Sequence, residues 1–161
     1  MNYLLDNFTG NIATPNTSFN LDVDGHILVT SYKAMGSSLT SYSSINNSDL
    51  WKDNVVELFL DLGDKDFYYE FEVAPNGATF TAKKYPSHLE YLPNDIIDSY
   101  VSINGNTYEV ELRIDLTKFP KFDSIKYNAF RIERGKLLQA LSPTHSDTFH
   151  VREKFITLKL A

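Results

Sequence analysis

Apolar and polar residues alternate most densely between Trp51 and Gly77, with the two-residue period of strands that bury one face. Val56, Leu58 and Leu60 fall on one side of the first arm, and Val55, Glu57, Phe59 and Asp61 on the other. Gly63-Asp64-Lys65-Asp66 then supplies turn chemistry. In the second arm Phe67, Tyr69, Phe71 and Val73 oppose Tyr68, Glu70 and Glu72, and Ala74-Pro75-Asn76-Gly77 closes the unit with Pro at the second turn position. The pattern predicts a central hairpin whose glutamate-bearing faces lie side by side, next to the chain's single tryptophan.

The same rhythm continues along the chain. Residues 1–20 carry scattered apolar positions that suit an edge or crossing segment. Asp22-Val23-Asp24-Gly25 has turn composition, and His26 to Lys33 is a β-branched run that predicts a strand. Ser37 to Asn47 is rich in Ser but interrupted by Leu39, Tyr42 and Ile45, which suggests a strand and loop rather than a linker. Ala78 to Lys84 predicts a further strand, and Tyr85 to Asn94, with His88, Tyr91 and two prolines, a long excursion. Asn104-Gly105-Asn106 joins Ile97–Ile103 to Thr107–Leu116 as a second hairpin. In Lys126–Glu133, Tyr127, Phe130 and Ile132 are expected to oppose Arg131 and Glu133, and Ile156–Leu160 is expected to close the fold as a strand. Helical periodicity is nowhere sustained. The expectation is an all-β fold of eight or more strands, a two-sheet antiparallel β-sandwich of jelly-roll or immunoglobulin-like kind, in a single domain over residues 1–161.

Composition narrows the function classes. The 161 residues include 10 Tyr, 11 Phe and 1 Trp, a bias that favours strands, and no Cys, which excludes disulfides, thiolate catalysis and Cys-ligated metal. A net charge of −6 offers no basic surface for phosphates, so nucleic acid is not an expected partner. No segment approaches the roughly 20 apolar residues that span a bilayer, so no membrane partner is expected. The N-terminus lacks signal-peptide organisation, which predicts a cytoplasmic chain unless a signal has been removed.

Candidate chemistry concentrates on the strand faces opposite the apolar ones, where the alternation sets Glu57, Glu70, Glu72, Glu109, Glu111, Arg113, Arg131 and Glu133. Such residues form solvated cross-strand ion pairs on many sheets. Beside the Trp51 indole, carboxylate and guanidinium groups also suit sugar hydroxyls and C–H faces, and the hairpin is expected to share one binding face with Arg113 and Arg131. A glycosidase would need two carboxyls about 5–9.5 Å apart, and the sequence nominates no pair. His26, His88, His145 and His150 show no metal-ligand spacing. Calcium has two oxygen-rich turns available, at Asp22–Gly25 and Asp61–Asp66, although surface turns commonly use Asp and Gly without an ion. Haem would need an axial pair such as Met35 with His150, a nonspecific combination. No nucleophile elbow or phosphate loop occurs.

Three runs together resemble a known family: NSDLWKDNVVELFLD at 47–61, FYYEFEVAPNGATF at 67–80 and LSPTHSDTFHVREKF at 141–155, followed by ITLKL. Their D-x-x-V-E, Y-x-F-x-x-x-P-N-G and F-H-x-x-E-x-F elements, in this order over most of residues 26–160, are similar to the family 9 carbohydrate-binding modules, relatives of DOMON-type sandwiches. The resemblance implies a β-sandwich that binds sugar without cutting it, on plant-type polysaccharide such as xylan or glucan ends, beside a glycoside hydrolase. It implies Trp51 as the stacking platform, Glu57 as hydroxyl acceptor, Phe149 and His150 as the opposite wall, and Arg131 and Gln139 as further polar contacts. Departures are the missing second tryptophan, Glu70 and Ala74 in the second motif, and Arg152 and Ile156 in the closing one. The alternatives are an accessory glycoside hydrolase domain of weak activity, a haem-binding DOMON-like domain, and a structural or interaction sandwich whose sugar site has decayed.

Overall fold

The computed structural model describes residues 2–159, in which thirteen strands form two antiparallel sheets. In chain order they are β1 (Asn2–Tyr3), β2 (Leu5–Asp6), β3 (Thr17–Asp24), β4 (Ile27–Met35), β5 (Val55–Asp61), β6 (Tyr68–Val73) and β7 (Thr79–Lys84). They continue with β8 (Leu89–Tyr91), β9 (Asp98–Asn104), β10 (Thr107–Asp115), β11 (Lys126–Glu133), β12 (Leu137–Ala140) and β13 (Ile156–Thr157). One sheet has the order β1-β3-β4-β10-β9; the other runs β2-β12-β11-β5-β6-β7-β8, with β13 also paired to β11. The expected all-β sandwich is the observed one.

The central hairpin forms as β5 and β6 with the predicted faces. Val56, Leu58, Leu60, Tyr69, Phe71 and Val73 pack between the sheets against Phe19, Leu28, Tyr108, Leu112 and Ile114. Two tyrosines of the five-stranded sheet fasten the hairpin's backbone from below. Tyr32 Oη donates to the Glu57 carbonyl at 2.6 Å, and Tyr108 Oη to the Val73 carbonyl at 2.9 Å. Each satisfies a buried hydroxyl that would otherwise be costly in an apolar core.

The other face of the eight-stranded sheet has its own apolar cluster. Val55, Phe59, Tyr68, Phe80, Phe130, Ile132 and Ala140 are covered by Leu50 at one end and by Phe149 and Phe155 at the other. A sheet covered on both sides loses polar alternation, which is why β11 misleads: all of Asn128 to Glu133 is buried. Its register sets Asn128, Phe130 and Ile132 opposite Phe59, Glu57 and Val55, but Tyr127 and Arg131 opposite Leu60 and Val56. Tyr127 therefore shares the interior face with Arg131, correcting the expected grouping with Phe130 and Ile132.

Other expectations also shift. Asp22 and Asp24 belong to β3, and the turn falls at Gly25-His26. Within the Tyr85–Asn94 excursion, Leu89–Tyr91 pairs with β7 and makes a hairpin. Ser37 to Asn47 forms no strand. Its ordering comes from side chains, because Asn46 and Asn47 accept from the β7 amides of Thr79 and Thr81, and Asn76 Nδ2 donates to the Ser43 carbonyl. Asn side chains here take the place of a backbone ladder. In the closing strand only Ile156–Thr157 pairs, and Leu160 lies outside the described residues.

Candidate functional site

A cleft of about 630 Å³ opens on the outer face of the eight-stranded sheet. Its floor is the row Glu57, Glu72, Phe80, which face one another across β5, β6 and β7, with Glu70 two residues along β6. Trp51, Phe149, His150, Tyr91 and Leu138 are among the residues that line it.

Trp51 sits in a short 3₁₀ turn, Leu50–Lys52, immediately before β5. Leu50 is fully buried in the sheet-face cluster, which leaves the next side chain 46% exposed at the cleft. Gly135, in the β11–β12 turn, backs this platform. It has φ +72°, and a Cβ there would lie 2.9 Å from the Lys52 carbonyl carbon and closer still to the oxygen. Its own amide donates to the Asp53 carbonyl at 3.2 Å.

The opposite wall belongs to the segment after β12. Phe149 is buried, its ring stacked on Phe130 at 4.1 Å between centroids. His150 is exposed as a residue, but its ring lies over Phe59 at 4.8 Å and meets the Tyr68 hydroxyl at Nδ1. Burial of the ring, aided by Lys84, holds its pKa down to about 4, so the imidazole is neutral at physiological pH. Arg152 locks the segment in place by pairing with both oxygens of Asp61, at 2.9 and 3.0 Å, and by donating to the carbonyls of Asp64, Lys65 and Phe67.

Burial dominates the floor. Glu57, Glu70 and Glu72 are 3%, 6% and 1% exposed, so they are not the solvated surface charges that alternation alone suggests. Desolvation first, and then the charge of Glu70, pushes the Glu57 carboxyl well above the usual range. Glu72 is raised by desolvation and by its two acidic neighbours. Desolvation carries Glu70 up to about 7, against the opposing pull of its Glu72 hydrogen bond and of Lys84.

The six expected contact residues divide. Trp51, Glu57, Phe149 and His150 border the cleft. Arg131 and Gln139 do not; they point between the sheets, where Arg131 Nη1 donates to Thr17 Oγ1 and the Met35 carbonyl, Thr17 Oγ1 donates to Gln139 Oε1, and Gln139 Nε2 donates to the Pro15 carbonyl. Arg113 lies on β10 of the other sheet, so the binding face expected to be shared with Arg113 and Arg131 does not form. Met35 does not border the cleft that holds His150, which separates the suggested haem pair. At the acidic turns, Asp61 is engaged by Arg152 and the Gly63 amide, Asp64 accepts from the Asp66 amide, and Asp22 from the Val23 amide. The alternation sets Glu70 and Glu72 on the Glu57 face among the residues of candidate chemistry, but neither they nor Tyr91 are among the expected ligand contacts, and all three border the cleft.

Against this geometry, the family model for carbohydrate-binding family 9 matches residues 6–138. The chain belongs to carbohydrate-binding family 9. No curated protein sequence matches significantly. Among solved structures, a candidate carbohydrate-binding protein from Bacteroides uniformis ATCC 8492 superposes with TM-score 0.80 at 19% identity, over 98% of this chain and 85% of that one. A family 9 module from Caldicellulosiruptor kristjanssonii in complex with glucose gives TM-score 0.68 at 16% identity, over 98% and 83%. The same organism's family 9 module with cellotriose gives 0.63 at 17%, over 86% and 70%. At these identities the likeness establishes a shared family 9 fold.

Proposed function

We propose that the chain binds carbohydrate in the outer cleft of the eight-stranded sheet and does not cut it. The observation that carries this reading is the half-exposed Trp51 indole at a cleft floored by glutamates. An indole offers a sugar ring a flat apolar surface, and carboxyl groups accept its hydroxyls. Trp51 is the stacking platform, Glu57 the hydroxyl acceptor, and His150, with Phe149 packed behind it, the opposite wall. Arg131 and Gln139 stay outside the site and tie β11 and β12 to Thr17, Met35 and Pro15 between the sheets. The family 9 structures bound to glucose and cellotriose favour a β-linked glucan end as ligand; a xylan end as an alternative ligand and a glycoside hydrolase as working partner are further parts of the proposal.

Absence of cutting is favoured by membership of a family of carbohydrate-binding modules. Calorimetric titration with glucose, cellotriose and xylotriose tests binding; heat from none of them would reject the reading. A turnover assay on aryl glycosides, with Glu57→Gln as control, tests catalysis. Release of aglycone by the wild type that the substitution abolishes would make the chain a hydrolase.

A further inference from the structure

Glu57 and Glu72 stand directly opposite each other on β5 and β6, with Glu70 on the same face. Like charges facing across a ladder destabilise a sheet, and burial sharpens the conflict by removing the water that would screen them. Among the described residues no Lys or Arg comes within ion-pair distance of any of the three. Lys84, on the same face of β7, already donates to the Tyr85 carbonyl at 2.7 Å. A separate observation points to what is missing. Glu72 is 99% buried, and its Oε1 has no hydrogen-bond partner although Glu72 borders the cleft. A buried acceptor left without a donor is costly and calls for an unplaced partner.

The geometry points to a divalent-cation site, of a kind that fits calcium, formed by Glu57, Glu70 and Glu72 at the floor of the cleft. The donors are all carboxylate oxygens, which suit a hard cation and not a soft or imidazole-seeking metal. Calcium–oxygen distances of about 2.3–2.6 Å let oxygens on opposite sides of one ion stand up to roughly 4.8 Å apart, and calcium accepts an irregular shell where magnesium demands near-ideal octahedral geometry and dehydrates reluctantly. The three glutamate oxygens lie within 4.8 Å of one another, inside the span that the shell of one calcium covers. Three carboxylates fill only part of a shell of about six to eight oxygens. The rest faces the cleft, where water completes it. Sugar hydroxyls could replace that water, a clause that rests on the binding reading above; the ion site does not.

The full chain, stripped with EDTA and exchanged into metal-free buffer at neutral pH, is titrated with CaCl₂ alone by calorimetry, with thermal unfolding followed in parallel. The expected result is one calcium per chain and a melting midpoint raised by about 5–10 °C at a hundredfold excess over Kd. MgCl₂ should raise it less. Glu57→Gln and Glu72→Gln should each weaken calcium binding at least about tenfold, a loss of about 1.4 kcal/mol. Both should melt in EDTA no lower than the wild type, because each relieves repulsion, and this separates loss of the ion from misfolding. A wild type that gives neither heat nor midpoint shift overturns the site and leaves protons alone to neutralise the acids. Calcium binding unchanged in both variants overturns it as well, and moves the ion to an acidic turn. Titrating cellotriose in EDTA and in calcium scores the sugar reading separately. Sugar binding without any calcium heat removes this site alone, and calcium binding without sugar in either buffer removes the sugar reading alone.

Discussion

The two outward faces of the sandwich carry concavities of nearly equal size and opposite chemistry. On the five-stranded sheet a groove of about 660 Å³ is lined by Ser18, Asn20, Ser31, Lys33, Tyr100 and Glu109 among others. Its charges are exposed and matched, Lys33 with Glu109 at 3.9 Å and Arg113 with Glu111 at 3.8 Å. Water and neighbouring charges already satisfy such groups, and pairs of this kind are worth about 0–1 kcal/mol. On the eight-stranded sheet a cleft of about 630 Å³ holds three buried acids with no ion-pair partner among the described residues, beside an exposed indole. Volume ranks the faces as equals. The unfinished electrostatics of the second face separate them, because groups that stay costly in the free protein are those a ligand can relieve.

Four substitutions break or sharpen that contrast. Gly135→Ala should have the largest effect, because it combines a left-handed φ with a collision against the Lys52 carbonyl. A loss of roughly 2–4 kcal/mol in urea unfolding is expected from the two penalties, together with weaker sugar binding as Lys52 and its neighbour Trp51 shift. Trp51→Ala removes only the platform; oligosaccharide affinity should fall by about 1–3 kcal/mol, by analogy with base stacking on aromatics, with the midpoint of unfolding nearly unchanged. Affinity preserved in that variant would move the site off this face.

Asp61→Asn probes the lock on the cleft's far wall. Burial would raise the Asp61 carboxyl, but the Arg152 and Gly63 hydrogen bonds and the charges of Arg152 and Lys126 leave it below its ordinary value. Because the folded pKa is depressed below the unfolded value of about 3.9, the carboxylate stabilises the fold above about pH 4, and that contribution fades as pH falls through the folded pKa. Thermal melts from pH 6 down to about 2.5 should therefore show the variant about 1–2 kcal/mol less stable than the wild type at the upper end, with the two curves converging at the acid end. Tyr100→Ala, on the five-stranded face, should change sugar affinity less than about twofold and stability by less than about 0.5 kcal/mol. A larger loss of affinity there would mean that the matched face also binds.

Much of this was legible in the sequence where one side of a strand meets a different environment from the other. The β5–β6 hairpin has that property, and its alternation placed Glu57, Glu70 and Glu72 together on the face that became the cleft floor. β11 lacks it: both faces are buried, so nothing in Lys126–Glu133 tells which way Arg131 points, and its guanidinium went to the interior oxygens of Thr17 and Met35. The burial of the glutamates was hidden for a different reason. The cover over their face is irregular chain far away in sequence, and no local pattern in Ser142–Phe155 announces what it lies on. Only the family motifs brought Phe149 and His150 to the same place as Trp51.

The Arg152 lock has a consequence for how the molecule comes into being. Its partner Asp61 lies 91 residues earlier, and Tyr68, which receives His150, lies 82 earlier. A polypeptide still emerging from the ribosome at residue 141 already contains every strand of the cleft floor, but Phe59, Tyr68 and Phe130 would stand uncovered as an aromatic sheet surface. Surfaces of that kind associate with one another or recruit chaperones when they persist. The far wall is thus also a late-arriving shield, and the interval before it docks is when this chain is most exposed to aggregation.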